Sequence, residues 1–296
     1  MTTMCTNCPR HCKIDRNVTA GFCGATNLIK IAKVSKHYSE EPIISDVKGS
    51  GTIFFSHCNL KCVFCQNYDI SHGGFGKVVS VDGLVQIFKN LEKAKVNNIN
   101  LVSPTHYANE ILQALKIYKP KIPVVYNTNG YDDVETLIKL APYIDIYLTD
   151  LKYFDNKLSQ KYSNCADYFE KATCAILQMR KNQPKDVIRG GLMKKGVIIR
   201  HLVLPTHTDD TIQVIDWVAN NLGNKTILNL MSQYVPMYKA DEYPEINRKL
   251  KPLEYKRVVS YMIGKGLTNG YTQELSSATT NETPKFDLSG LDGVIA

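Results

Sequence analysis

Long apolar stretches are missing from this sequence. No run of 18 or more apolar residues occurs in its 296 residues, so no segment reads as a transmembrane helix. Nor does a basic-then-apolar leader open the chain: Met1-Thr2-Thr3-Met4-Cys5 has no such pattern, and a cytoplasmic protein with no membrane partner is the expectation. There is one tryptophan, Trp217, which reads as part of a helix core. An arginine-rich block and an RNA-binding signature are also absent, so the net charge of +8 fits anionic ligands without demanding nucleic acid or excluding it. With 44% hydrophobic residues, the chain can build one barrel-sized domain or two ordinary ones.

Cysteine is what the sequence has in excess. Nine occur, and seven of them fall within the first 65 residues. Structural disulfides are not expected in the cytosol, so metal ligation is the better account. Cys5, Cys8, Cys12 and Cys23 read C-x2-C-x3-C-x10-C, with Pro9, Arg10, Gly21 and Gly24 as turn and spacing residues. So short a piece has no apolar core of its own, and a metal would stabilise it. Zinc and an auxiliary iron–sulfur cluster both suit four thiolates. Cys165 and Cys174 read as structural.

Cys58, Cys62 and Cys65 form a tighter group, C-x3-C-x2-C, with Phe64 just before the last cysteine. A 4Fe–4S cluster takes four ligands, so three thiolates leave one iron open to a small molecule. The competing readings are a zinc knuckle completed by His57 or His72, and three unrelated core cysteines. The spacing and the preceding Thr52-Ile53-Phe54-Phe55 resemble the radical S-adenosylmethionine (SAM) superfamily.

From residue 50 onward, β-branched and aromatic runs alternate with helical periods. Strands are expected at 52–56, 99–103, 123–127, 144–151, 197–204 and 226–231. Helices are expected at about 81–95, 109–118, 134–143, 168–181, 210–222 and 253–265. Six strand–helix units imply a parallel sheet covered by helices and curled into a barrel or part of one. Six units rather than eight suggest an open (β/α)6 barrel with its site at the C-terminal strand ends. The expected organisation is a cysteine-rich segment over 1–48, the barrel over 49–267 and a polar tail over 268–296 packing on or over it. That tail carries Glu274, Glu282, Asp287 and Asp292 against Lys285.

Polar groups cluster at those strand ends: Ser103 and Thr105, Asn129, Asp150 and Lys152, Arg200, and Ser232-Gln233-Tyr234. Asp150 and Lys152 alternate along a strand and so face one side. They read as ligands or as a simple ion pair. His106, His201 and His207 read as packing or hydrogen-bonding residues.

With these residues in hand the chain resembles the pyruvate formate-lyase-activating-enzyme-related radical SAM proteins, the PflX-like group. The words that carry the resemblance are Cys-Pro-Arg-x-Cys at 8–12, Gly-Phe-Cys-Gly at 21–24, the cluster loop with Gln66-Asn67-Tyr68, Pro104-Thr105-His106-Tyr107, Asn127-Thr128-Asn129-Gly130-Tyr131, Asp150-Leu151-Lys152-Tyr153 and Met231-Ser232-Gln233-Tyr234. The resemblance implies a partial barrel of radical SAM type. It implies a 4Fe–4S cluster on Cys58, Cys62 and Cys65 with SAM on the fourth iron. A flavodoxin or ferredoxin would supply the electron. SAM would be cleaved to methionine and a 5′-deoxyadenosyl radical that abstracts hydrogen, in one reading to activate a glycyl radical enzyme. Phe64, Ser103, Thr105, Asn129, Asp150, Lys152 and Arg200 are the expected contacts to SAM or substrate. One departure stands out. Where many relatives carry a Gly-Gly-Glu-type motif for the SAM ammonium, this chain has Ser103-Pro104-Thr105, so hydroxyls would replace a carboxylate. The alternatives are a small molecule, peptide or RNA as substrate, and two non-catalytic roles: an electron carrier and a zinc-binding interaction module.

Overall fold

Six parallel strands form the centre of the computed structural model, which describes residues 4–280 and 283–295. They are β2 (Ser50–Phe55), β4 (Ile99–Val102), β5 (Val124–Thr128), β6 (Ile146–Asp150), β8 (Leu192–Leu202) and β9 (Ile227–Met231), paired in that order. Helices α3 (Val81–Lys93), α4 (Ala108–Ile117), α5 (Val134–Leu140), α7 (Tyr168–Asn182), α8 (Thr208–Leu222) and α9 (Pro252–Gly264) follow the strands and cover the outer face. The fold is α/β, an open sheet curled into a partial barrel. Local sequence chemistry sets the helix starts. Ser80 caps α3 by accepting from Gly83 N, and Leu84, Ile87, Phe88 and Leu91 form its buried stripe. Asp133 caps α5 through Thr136 N.

Alternation along each strand decides what faces the lumen. Val125, Ile146, Leu148, Ile198 and Ile227 make an inner apolar floor, joined by Ile44 and Met193. Ile44 comes from α1 (Pro42–Ser45), a short helix that closes the N-terminal end of the barrel. Its carbonyls are tied down: Asn98 Nδ2 donates to Ile44 O at 2.8 Å, and Asn97 Nδ2 bonds Ser45 O.

Several elements were not foreseen. Strand β1 (Ile29–His37) falls inside the segment expected to be a cysteine-rich unit, yet it pairs antiparallel with β2 and belongs to the main sheet. Its lysines, Lys30, Lys33 and Lys36, stand three apart, and the pairing with β2 shifts register between Ile31 and Lys33, so strict alternation is broken. Strand β3 (Lys77–Val79) extends that edge beyond β1. Helices α2 (Tyr68–Ser71) and α6 (Asn156–Ser163) occupy two loops. Strand β7 (Val187–Arg189) forms a hairpin with the start of β8, turning through Gly190 and Gly191 at φ 59° and 77°. Positive φ at both central residues is what a two-residue hairpin needs. Trp217 is half-buried at the surface of the core, edge-on to Phe169.

Beyond α9, β10 (Tyr271–Thr272) pairs with β9, and the chain crosses to the other edge of the sheet. There Leu288 N bonds Ala32 O, Ser289 O accepts from Val34 N, and Lys77 Nζ donates to Leu291 O at 3.2 Å. Glu282 lies outside the described residues. Among the described residues, no helix is long and apolar enough to cross a membrane.

Ile44 is 1% exposed within the floor, so Ile44→Ala should leave a void there and cost about 2–5 kcal/mol of stability, read from denaturant unfolding. A loss below about 0.5 kcal/mol, typical of a surface change, would contradict its role as a plug.

Candidate functional site

The loop after β2 carries the three cysteines. It opens on His57, whose φ of 73° is uncommon outside glycine. Its ring is wedged between Gly24 and Gly74, where added Cβ atoms would approach it to 2.9 and 2.5 Å. The loop is fastened on several sides. His57 N bonds Ile70 O, Lys61 N bonds Ser163 O, Val63 N bonds Tyr162 O, and Val63 O accepts from Lys239 N. Asn59 Nδ2 donates to Tyr131 O at 2.6 Å, and Arg10 Nε donates to Asn59 O at 3.1 Å.

Every sulfur in the loop has a hydrogen-bonding partner. Leu60 N and Asn129 Nδ2 donate to Cys58 Sγ at 3.4 and 3.3 Å. Ser163 Oγ lies 3.0 Å from Cys62 Sγ, with Tyr153 OH 2.8 Å behind it. Ser71 Oγ lies 3.2 Å from Cys65 Sγ. Burial pushes the Cys58 and Cys62 thiols up to about 11, and the Cys65 thiol upward too. Thiols so placed ionise when a metal supplies the countercharge, and donors aimed at sulfur then stabilise thiolate. The loop therefore fits a cluster of thiolate-bound irons. Among the described residues, no three Cys, His, Asp or Glu side chains are grouped to hold a single metal ion. The His57 ring is held against Gly24 and Gly74, and His72 Nδ1 lies 2.9 Å from Ser71 Oγ. In a cubane the three cysteines take three different irons, so such convergence is not required.

Cys62 and Cys65 open onto a cleft in the barrel lumen with two adjoining lobes that share lining residues. The upper lobe, about 220 Å³, is lined by Phe64, Asp150, Lys152, Arg200, Leu202 and Tyr234 beside the two cysteines. The lower lobe, about 330 Å³, is lined by Glu40, Glu41, Asn127, Asn229 and Tyr271, with Thr283 and Pro284 among its other walls. Gln66, Asn67, Arg200, Met231 and Gln233 belong to both.

Arg200 joins the lobes. Its Nε donates to Asp150 Oδ1 at 3.0 Å, Nη1 to Glu40 Oε2 at 3.2 Å, and Nη2 to Asn127 Oδ1 at 2.6 Å. Lys152 Nζ donates to Asp150 Oδ2 at 2.6 Å. Burial alone would raise the Asp150 carboxyl, but the Lys152 and Arg200 charges outweigh it and hold the group below the ordinary carboxylate range. Asp150 and Lys152 are thus an ion pair and also line the cleft.

Four expected contacts, Phe64, Asp150, Lys152 and Arg200, meet in the upper lobe. Asn129 is not among the residues lining either lobe. It holds the cluster loop, donating to Asn59 Oδ1 at 2.8 Å as well as to Cys58. Ser103 is half-buried at φ 56°, and Thr105 is fully buried. The Thr105 hydroxyl donates to Asp132 Oδ1 at 2.7 Å, so it is spent inside the fold and not offered to the cleft. Thr128 Oγ1 and Tyr126 OH donate to the same carboxylate at 2.6 and 2.9 Å. The expected histidines are structural. His106 meets Ser56 O at 2.7 Å, His201 lies between Leu151 O and Thr211 Oγ1, and burial lowers them to about 3 and about 4. Residue-by-residue reading missed Glu40 and Glu41, and it did not single out Asn127 and Asn229 from the strand-end runs that contain them. The last two point inward by strand alternation with Asp150 and Arg200, a signal the sequence contains.

Near the amino end, Cys8 and Cys23 are buried while Cys5 and Cys12 are half-buried. A Cβ on Gly21 would lie 3.5 Å from Cys12 Sγ and 3.7 Å from Cys23 Sγ, which places those sulfurs around one glycine. Phe22 N and Ala25 N donate to Cys12 Sγ and Cys23 Sγ at 3.5 and 3.4 Å. Burial pushes the Cys8 thiol up to about 12, with Cys23, Cys5 and Cys12 near enough to add to the rise.

Comparisons with known proteins bear on this arrangement. The model of the radical SAM superfamily matches residues 52–218, from β2 into α8. An uncharacterized protein of Methanocaldococcus jannaschii, MJ0674, is 36% identical over 268 residues, covering 86% of this chain and 73% of the relative. SuiB of Streptococcus suis, solved bound to its precursor peptide SuiA and bound to S-adenosylmethionine, matches with TM-scores of 0.51 and 0.50 at 18% and 19% identity. Each match covers 75% of this chain, which spans about half of SuiB, 48% and 49% in the two structures. Identity that low speaks for the fold, and the family match carries the assignment. The cysteine loop, the parallel strands and the cleft between them lie largely within the matched span, and the chain belongs to the radical SAM superfamily.

Proposed function

We propose that this protein is a radical SAM enzyme acting on a substrate held in the barrel lumen. The observation that carries the reading is the set of three half-buried thiols, each with a hydrogen-bonding partner, two of which, Cys62 and Cys65, open onto a charged cleft at the strand ends. Cys58, Cys62 and Cys65 would hold a 4Fe–4S cluster. Such a group, when bound, supplies the electron that splits SAM into methionine and a hydrogen-abstracting 5′-deoxyadenosyl radical. The remaining work belongs to the chain. Asn129 donates to Cys58, and the Ser163 and Ser71 hydroxyls would donate to Cys62 and Cys65 as thiolates. Asp150 offers acceptors to an ammonium, and Lys152 and Arg200 offer donors to a carboxylate. Phe64, Tyr234 and Met231 line the cleft with apolar surface that limits water.

The finer readings rest on less. The PflX-like words support kinship with glycyl-radical activases, while Ser103-Pro104-Thr105 lacks the carboxylate of that group. A peptide substrate is the second reading, prompted by SuiB, whose structure holds a precursor peptide. A flavodoxin or ferredoxin is the proposed electron donor. We also read Cys5, Cys8, Cys12 and Cys23 as a second metal site. Their N–H to sulfur bonds support this, and four thiolates suit either zinc or an iron–sulfur cluster.

Anaerobic reconstitution with iron and sulfide, followed by dithionite and SAM, should yield 5′-deoxyadenosine by mass spectrometry, and Cys62→Ala should abolish it. Product that survives in Cys62→Ala would overturn the assignment. Metal analysis separates the two cysteine groups: about eight irons per chain are expected with a second 4Fe–4S cluster, about four without it. Ser163→Ala removes a donor to Cys62, so the cluster potential should move to a more negative value in a redox titration. Asp150→Ala strands Lys152 and Arg200 in a buried layer and should cost about 3–5 kcal/mol in denaturant unfolding.

A further inference from the structure

Each sulfur of the cluster loop meets a polar side chain, and each of those side chains has a further group behind it. At Cys58 the side chain is an amide whose orientation is fixed. Asn129 Oδ1 accepts from Tyr131 N at 3.0 Å, so Nδ2 is the end turned to the sulfur. At Cys62 and Cys65 the side chains are hydroxyls, which rotate unless a neighbour holds them. Ser163 Oγ lies 3.0 Å from Cys62 Sγ and 2.8 Å from Tyr153 OH. Ser71 Oγ lies 3.2 Å from Cys65 Sγ and 2.9 Å from His72 Nδ1. Both serines are buried.

Counting protons fixes the direction of both chains once iron binds the sulfurs. A thiolate has no proton to give, so the one hydroxyl proton of each serine must point at sulfur. The serine oxygen can then only accept from the group behind it. Behind Ser163 that group is Tyr153, which is buried. Burial raises its phenol well above the ordinary value, so the proton needed for donation is retained. Behind Ser71 the group is His72, whose ring centroid lies 4.6 Å from that of Tyr238. Burial, with Lys61 and Lys239 nearby, lowers the imidazole to about 4 and leaves it neutral at pH 7. Of the two neutral tautomers, only the one protonated on Nδ1 can donate to Ser71. Hydrogen bonds linked in this way polarise one another and strengthen the last of the chain.

We propose that Tyr153 and His72 are positioning residues for the cluster: each donates to a serine hydroxyl and so aims that hydroxyl at a cysteine thiolate. Neither touches a sulfur ligand bond or the substrate; each acts through its serine. The inference deepens the radical SAM reading and rests on it for the iron on Cys62 and Cys65. Donors to sulfur favour the reduced, more negative cluster, so a serine left free to turn away should make reduction harder.

The test is a redox titration of the full chain, anaerobically reconstituted with iron and sulfide, following the electron paramagnetic resonance signal that Cys62→Ala removes. Tyr153→Phe keeps the ring and deletes only the hydroxyl; His72→Phe keeps a ring beside Tyr238 and deletes the donor. Each should move the potential to a more negative value, by about three-fold or more in the reduction equilibrium, which is about 30 mV for one electron. The Tyr153→Phe shift should vanish in a Ser163→Ala background, and the His72→Phe shift in a Ser71→Ala background. His72→Asn offers an amide N–H near the place of Nδ1 and should hold the potential close to wild type. Unchanged potentials in the phenylalanine variants would overturn the proposal. So would shifts of the same size without the serines, which would mark the two rings as packing groups. The two pairs are read independently, so a variant that does not fold leaves the other pair to decide. Failure of the radical SAM reading looks different: no iron–sulfur signal would depend on Cys62, and the proposal would fall with it.

Discussion

Three half-buried, hydrogen-bonded thiols are the constraint on which this rim of the barrel depends. Alone, each is pushed away from ionisation by burial, and the surroundings suit thiolates only when metal cations complete them. The architecture serves that requirement. Strand β2 delivers the loop to the C-terminal end of the sheet. The loops after β5 and β9, helix α6 and the amino-terminal Arg10 then bind its backbone and side chains. Donors to sulfur come from Asn129, Ser163 and Ser71, which are far apart in sequence. Orientation of the cysteines is therefore a property of the assembled fold rather than of the eight residues from Cys58 to Cys65 alone.

A second layer lies below the first. Arg200 ties the strand-end carboxylate Asp150 to Glu40, which arrives from the connection between β1 and α1. The segment that closes the barrel floor through Ile44 thus also places two carboxylates in the lumen. Floor packing and cleft electrostatics are coupled through four consecutive residues, Glu41 to Ile44, together with Glu40. Three carboxylates and two cations in one layer are stable only with close pairing, and the geometry provides it for Asp150 and Glu40 but not fully for Glu41.

Much of this was legible in the sequence. The six parallel strands and the six covering helices follow from apolar periodicity, with ends displaced by a few residues. Cys58, Cys62 and Cys65 are a local pattern, and Asp150, Lys152 and Arg200 were placed on their strands by the apolar runs, with alternation putting Asp150 and Lys152 on one side. What was not legible depends on how the chain folds back. Glu40-Glu41 looks like a solvated acidic pair in a polar stretch, and nothing nearby in sequence says that it enters a lumen. Ile29–His37 was obscured by the cysteines before it and by the irregularity between Ile31 and Lys33 that breaks its alternation. Thr105 occupies the right sequence position for a ligand, but Asp132, Thr128 and Tyr126 claim its hydroxyl in space. Spacing indicates where a residue stands on its element; competition among buried donors and acceptors decides what it does there.

The central claim is that the three thiols hold a cluster with one iron left open to SAM. Electron paramagnetic resonance on the anaerobically reduced protein, recorded with and without SAM labelled with nitrogen-15 at its amino group, tests this directly. The account predicts that SAM alters the cluster signal and that the label shows a hyperfine coupling to it. A reduced cluster whose spectrum is the same with and without SAM would contradict the account.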